Sequence, residues 1–308
     1  MKKIFSTVVL LLLTVSVATS VFAQKQKSKD ELIKEIATLS NSQKVEDKEK
    51  AYQLGKEFLT RFPKDKEVAK IRPFVKNFQK YTFIKALEDK KFADFFAIGK
   101  EILADEPENT EIALNLGYGG YDALLKSSDK SFGNDAIKYA QLTLQLLEKG
   151  SFPASFAPFN SKDDALAWMY YIIGYFSMEK DIKTAASSFY KSTLYESAIK
   201  KTSQPYYAIA LYYEDRYEAM AKALNAKAKT ISDAEFKAEN DKVNAVIEQM
   251  MDAYARAYKI GETENNPGKD DWKKRLAAVY KFYKKTDAGF EPYLTYIVST
   301  PFKDPSNF

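Results

Sequence analysis

The side chains that could perform acid–base chemistry in this sequence are carboxylates, and two adjacent pairs stand out. Asp163 and Asp164 open a predicted helix, whereas Glu214 and Asp215 lie in a tyrosine-rich helical segment. Acidic residues at a helix start are stabilised by the helix dipole, which accounts for the first pair without any reaction. The second pair could serve glycoside hydrolysis, which uses two carboxyl groups. Neighbours on a helix point about 100° apart, however, so a partner for Glu214 would have to come from elsewhere in the chain.

Most other catalytic and metal chemistry is excluded by composition. The 308 residues include no histidine and no cysteine, so there is no imidazole base, no Ser–His or Cys–His nucleophile, no His- or Cys-ligated zinc and no disulfide. The Ser-x-x-Lys matches lack the companion K-T-G and S-D-N motifs of serine–lysine enzymes. We therefore predict a protein that is not an enzyme and that carries no cofactor and no metal.

A single glycine cluster, Gly117-Tyr-Gly-Gly120, could be mistaken for a phosphate-binding loop. A dinucleotide fingerprint would need glycine where Asp122 stands, and it would follow a strand. This cluster lies inside a helical pattern instead. Close packing of neighbouring helices is the simpler interpretation.

The elements that must position these residues are predicted to be helices. Glycine (11) and proline (10) are scarce, and hydrophobic residues make up 45% of the chain. Few turn formers and ample apolar content favour long helices packed around a core, so the fold class is predicted to be all-α.

The N-terminal residues have the pattern of a secretory signal peptide. Lys2 and Lys3 precede an apolar stretch, and Val21-Phe-Ala23 resembles a cleavage site. An N-terminal membrane anchor is the alternative, but the apolar run is shorter than the ~20 residues that a spanning helix needs. We expect residues 1–23 to be removed, residues 24–29 to form a polar leader, and the mature protein to be periplasmic or extracellular without a membrane span.

The charge of the mature chain argues against nucleic-acid binding. Loss of two lysines with the signal peptide lowers the net charge from +5 to +3. Only five basic residues are arginines, the type that binds phosphate and guanine in a bidentate way.

One segment is duplicated. The pattern G-K-E-x-L-x-x-x-P begins at Gly55 and again at Gly99, 44 residues later. Proline cannot continue a helix, so Pro63 and Pro107 are predicted to mark the corner of a repeated helix–turn–helix unit and to start the next helix. The glycines are predicted to let a neighbouring helix approach closely.

At these positions the chain resembles the tetratricopeptide repeat (TPR) family. Gly117 and Gly174 follow apolar residues as in the first helix of a repeat, Ala186 lies 12 residues after Gly174, and Ala210 lies 36 residues after it. The intervals of 44 and 57 residues exceed the family's 34. The resemblance covers residues 30–285 and implies a TPR-like solenoid of antiparallel helix pairs. A plain antiparallel helical bundle is the alternative.

The resemblance also implies a ligand surface, because the first helix of each pair lines the concave face in this family. Aromatic and methionine side chains recur on that face at helical spacing. The candidate groove residues are Tyr118, Tyr121, Trp168, Tyr171, Tyr175, Met178 and Tyr207. The alternative is that a neighbouring helix or the C-terminal tail buries this face.

We therefore expect a non-catalytic scaffold that binds a protein or peptide of the cell envelope. A glycan-binding module that uses the same tyrosine and tryptophan side chains is the second hypothesis, and an enzyme is the third. The Pro- and aromatic-rich tail, residues 286–308, is expected to lie extended over the last helix as a cap.

Overall fold

The computed structural model describes residues 26–305. The expected signal peptide, residues 1–23, and the first residues of the polar leader lie outside the described residues. Within the described part the chain forms α-helices and no strand, which confirms the all-α prediction. The helices are α1 (Lys29–Ser40), α2 (Val45–Arg61), α3 (Val68–Glu88), α4 (Phe92–Asp105), α5 (Thr110–Ser127), α6 (Gly133–Glu148), α7 (Lys162–Ser177), α8 (Ile182–Ser192), α9 (Ser203–Lys227), α10 (Asp233–Glu264), α11 (Lys269–Lys284) and α12 (Phe290–Val298), with a short 3-10 helix at Ile199–Lys201.

The chain divides into two compact units, and the division falls within α3, between Lys80 and Tyr81. In the first unit α1 packs on α2. Leu32 of α1, Phe58 of α2 and Val75 of α3 belong to its buried apolar core.

The second unit is built by packing of consecutive helices. Each helix from α4 to α10 contacts the next one along the chain. In addition α5 contacts α7 directly, and α12 packs on α10. The main core lies among these helices and contains fully buried side chains such as Met169, Phe189, Ile209 and Leu276.

Local capping explains where two of the helices begin. Ser28 accepts a hydrogen bond from the N–H of Glu31, and the Glu31 carboxylate accepts one from the N–H of Ser28. Ser232 and Glu235 make the same reciprocal pair at the start of α10. Each pair satisfies two N–H groups that a helix start leaves unpaired. The Ser-x-x-Glu spacing of both pairs is the sequence pattern of a capping box.

The duplicated segments end their helices in the same way. The C-cap residues Phe62 and Glu106 have φ/ψ of −130°/53° and −132°/71°. Each donates its N–H at 2.8 Å to the carbonyl four residues earlier. The prolines that follow therefore mark the helix ends as predicted. They do not start the next helices, which begin at Val68 and Thr110.

The repeated glycines are sites of close approach. A Cβ on Gly55 would lie 2.6 Å from Cγ2 of Val75 in the following helix. A Cβ on Gly99 would lie 2.7 Å from Cδ2 of Leu116, again in the following helix, and 2.8 Å from the ring of Phe83. All three distances are shorter than those that a Cβ atom normally makes, so the two glycines allow the same kind of contact.

The glycine cluster of α5 is also explained by packing. A Cβ on Gly117 would meet the backbone of α6 and the sulfur of Met169 at 3.0 Å. A Cβ on Gly119 would lie 2.3 Å from the Phe95 ring, and one on Gly120 would lie 2.6 Å from Cβ of Ala136. Three neighbouring helices therefore approach α5 at this point, as the interpretation of the cluster predicts.

The C-terminal segment differs from its prediction. The sequence predicts an extended tail over residues 286–308, but Phe290–Val298 form α12. Pro292 falls in the first turn of this helix, where a backbone N–H has no helical partner to lose. Leu294, in the same helix, is fully buried. The prolines are compatible with a short helix, and burial of Leu294 favours it.

No helix within residues 26–305 combines the length and the apolar composition of a membrane span.

Candidate functional site

The candidate groove is organised by α7 of the second unit. Its N-cap Ser161 accepts a hydrogen bond from the N–H of Asp164 at 3.1 Å. The helix is apolar on most of its surface, and its packing partners include α5, α6 and α8. Trp168, Tyr171 and Tyr175 follow one another at intervals of three and four, so they share the face that meets α5.

Five of the seven candidate residues form one group of touching rings. The Tyr121 ring centroid lies 5.7 Å from those of Trp168 and Tyr171 and 5.5 Å from that of Tyr175. Tyr118 contacts Trp168 edge-on at 6.1 Å. We call these five residues of α5 and α7 the aromatic cluster. Most of their contacts are edge-to-face, the geometry that aromatic quadrupoles favour.

The aromatic cluster has a buried base and a partly exposed face. Tyr121 and Tyr171 are 8% and 5% exposed, respectively. Tyr118, Trp168 and Tyr175 are only partly buried. The two base residues therefore contribute to the core, and a ligand could contact the other three.

The hydroxyl of Tyr171 connects the buried part of the aromatic cluster to α9. It donates to Oε1 of Gln204 at 2.8 Å. Burial raises the pKa of Tyr171 well above its ordinary value, and burial also raises the pKa of Tyr121. Both phenols are therefore neutral hydrogen-bonding groups at physiological pH and supply no charge to the site.

A cavity of about 360 Å³ adjoins the aromatic cluster at one of its partly exposed residues, Tyr175. Tyr175, Met178 and Gln204 are among the residues that line it. Its rim is polar: Lys130 forms an ion pair with Glu179 at 3.2 Å, and further lining residues come from the start of α6. Met178, the sixth candidate residue, thus belongs to the same region as the aromatic cluster. The volume suits a small organic group or one or two side chains of a partner.

Tyr207, the seventh candidate, takes part in a different group of rings. It lies on α9, and its ring stacks on Trp272 of α11 with centroids 4.8 Å apart. Tyr254 of α10 is a further neighbour at 6.2 Å. Tyr207 is therefore used in packing α9 against the following helices.

Two residues of this region were missed by sequence reasoning. Phe159 extends the aromatic cluster from the loop before α7, with its ring 5.4 Å from that of Tyr118. Gln204 reaches the site from the start of α9. No local pattern marks either residue, because a loop aromatic and an exposed amide are common in any sequence.

The carboxylate pairs have structural partners. Asp163 and Asp164 lie in the first turn of α7, where Asp164 accepts hydrogen bonds from the N–H and the amide of Asn160 at 3.1 and 3.3 Å. Glu214 accepts a hydrogen bond from Arg275 of α11. These contacts give Asp164 a role at the start of α7 and Glu214 a role in an ion pair between helices.

Within residues 26–305 no group of three or more acidic side chains could hold a metal ion. Comparisons of the chain with protein-family models, with curated proteins and with solved structures found no match.

Proposed function

We propose that this chain is an exported helical-repeat protein of the TPR type that binds a protein or peptide of the cell envelope. Its ligand surface is the partly exposed face of the aromatic cluster with Met178. The observation that carries the proposal is the position of Tyr175 and Met178, which line a cavity at the end of α7, while Tyr121 and Tyr171 contact the ring of Tyr175.

The packing of helices supports the repeat assignment. The pairs α5/α6, α7/α8 and α9/α10 are neighbours in sequence and in space, and α5 also contacts α7. In a solenoid of helix pairs the first helices of successive pairs lie side by side in this way. Gly174 permits the pair α7/α8, because a Cβ there would lie 2.9 Å from the Phe189 ring.

A peptide suits this surface better than a glycan. Stacking on a sugar needs open ring faces, whereas two rings of the aromatic cluster are buried and the other three are partly buried. The cavity instead offers apolar contact at Met178 and polar groups at its rim. A side chain of a partner could enter it while the flanking backbone bonds the rim.

Binding is favoured over catalysis because one carboxylate of each candidate pair already has a structural partner. Asp164 accepts two hydrogen bonds from Asn160, and Glu214 pairs with Arg275. The expected export to the periplasm or the cell exterior rests on the signal-peptide pattern of residues 1–23.

The proposal is tested by affinity capture from envelope extract of the source organism with purified protein. The test variant is Tyr175→Ala/Met178→Ala, which changes the cavity wall and leaves the buried Tyr121 and Tyr171 in place. Tyr170→Ala is the matched control, because Tyr170 is also partly buried on α7 but stacks on Tyr195 at 6.1 Å.

We expect the unchanged protein and the Tyr170→Ala variant to capture the same partner. The double variant should not capture it. Melting curves must show that both variants are folded. Equal capture by all three proteins would reject this surface as the binding site.

A further inference from the structure

A second cavity lies between α9, α10 and α11, in residues that the proposed function does not use. It has a volume of about 450 Å³, within the range of small-molecule sites. Its apolar wall includes the buried residues Leu224, Val243 and Ile247. The end of α9, the first half of α10 and the end of α11 enclose it.

Three asparagines line this cavity. Asn225 comes from the last turn of α9, and Asn240 and Asn244 lie one turn apart on the same face of α10. Among the described residues, none of the three amides has a hydrogen-bond partner. Asparagine is a poor helix former, so these three residues lower the intrinsic helix propensity of α9 and α10. Their amides therefore remain available to a ligand.

Aromatic side chains stand beside these amides. Phe282 is 55% exposed and Phe236 is 37% exposed, although both are large and apolar. The Tyr217 ring meets that of Phe282 edge-on, with centroids 6.4 Å apart. Exposed rings at the mouth of a cavity indicate an interaction site more strongly than isolated exposed residues do.

The cavity is nearly uncharged. Of its lining residues, which all lie in the described part of the chain, only Lys285 carries a charge, and its ammonium lies over the Phe282 ring at 4.5 Å. An anionic or cationic ligand would therefore lose its hydration without a matching set of charges. A neutral ligand avoids this cost.

We propose that this cavity binds an uncharged oligosaccharide. Each sugar hydroxyl is both a donor and an acceptor, and an asparagine amide offers both functions in one side chain. The apolar face of a pyranose ring packs on exposed Phe236 or Phe282, as apolar groups do on aromatic rings. The site is separate from the aromatic cluster and does not depend on the proposed peptide binding.

The test is isothermal titration of the purified protein with cellohexaose, maltohexaose and chitohexaose. An uncharged Ser/Gly hexapeptide serves as the competing ligand class. The variants Asn240→Ala/Asn244→Ala and Phe282→Ala remove the amides and the most exposed ring. Asn77→Ala and Phe152→Ala are matched controls, because Asn77 is an exposed helical amide and Phe152 is 57% exposed.

We expect at least one oligosaccharide to bind with a Kd of about 1 mM or tighter. Loss of two amides or of one ring should weaken that binding about tenfold or more, whereas the controls should bind normally. The variants change a surface cavity, and melting curves check that they fold. No sugar binding, sugar binding that survives both cavity variants, or binding of the peptide in place of the sugars overturns the proposal.

Discussion

Arg256 and Asp252 form a buried ion pair one turn apart on α10. Nε of Arg256 donates to Oδ1 of Asp252 at 2.7 Å, and their side chains are only 13% and 5% exposed. Nη2 of Arg256 also donates to the carbonyls of Ile297 and Thr300. One guanidinium thus holds both a buried carboxylate and the end of α12.

Replacement of Arg256 by alanine should be strongly destabilising. The change leaves Asp252 buried without its partner, which typically costs about 3–5 kcal/mol. Urea unfolding at pH 7 measures this loss. The penalty should be smaller in Asp252→Asn/Arg256→Ala, because that variant no longer buries an unpaired charge.

Lys237→Ala is the control for the ion pair. Lys237 and Asp241 have the same spacing on the same helix, but their side chains are 80% and 60% exposed. An exposed pair contributes about 0.2–1 kcal/mol. Equal losses in Arg256→Ala and Lys237→Ala would contradict the role given to burial.

Asp252 should make stability depend on pH. Burial raises its pKa from 3.8 to about 6, against the opposing effect of Arg256 and Lys303. Between these pH values the folded protein binds a proton that the unfolded chain releases, so this contribution to stability falls as pH rises from about 4 to about 6.

Asp252→Asn should remove that contribution. The free energy of unfolding of the unchanged protein, relative to the variant, should fall by up to about 3 kcal/mol across this pH window. Urea unfolding of both proteins at several pH values measures the difference. A difference that stays constant, or that grows with pH, would show that the pKa of Asp252 is not raised.

Features of the fold that depend on residues close in sequence could be predicted. The capping box of Ser232 and Glu235 spans one helical turn, and the prolines at 63 and 107 end helices through their own covalent structure. The aromatic spacing on α7 also fixes which side chains share a face. Such features need no knowledge of distant contacts.

Features that depend on distant residues could not be predicted. Tyr207 stacks on Trp272, which lies 65 residues later, so its face of α9 is occupied by a helix that sequence spacing does not identify. The prediction of an extended tail is wrong for a similar reason. Pro292 is compatible with an extended chain and with a first helical turn, and the choice follows from burial of Leu294 in the tertiary structure.

Gly174→Ala should destabilise the protein although alanine is the better helix former. The added Cβ would lie 2.9–3.1 Å from three atoms of the Phe189 ring. Overpacking of this kind costs about 1–3 kcal/mol, against a gain of about 1 kcal/mol in helix propensity. Thermal or urea unfolding measures the net loss.

Phe189→Leu should partly rescue Gly174→Ala, because a smaller side chain leaves room for the new methyl group. The double variant should therefore be more stable than the sum of the single losses predicts. Additive losses would mean that Gly174 does not set the contact between α7 and α8.

Phe302→Ala should release α12 locally. The Phe302 ring lies 5.3 Å from that of Tyr206 and 5.9 Å from that of Tyr190, and the guanidinium of Arg256 lies over it at 4.9 Å. Aromatic and cation–π contacts of this kind contribute about 0.5–2 kcal/mol each. The loss should make opening of residues 290–300 easier without affecting the rest of the second unit to the same degree.

Hydrogen exchange measures this release residue by residue. We expect the amides of α12 to exchange about tenfold faster in Phe302→Ala, which corresponds to about 1.4 kcal/mol, while those of α11 change little. Tyr296→Ala is the control, because Tyr296 lies on α12 itself and is 66% exposed. Of the two residues, Phe302 makes the ring and guanidinium contacts that hold the end of this segment. Faster exchange in both variants, or in neither, would therefore contradict the view that Phe302 anchors α12.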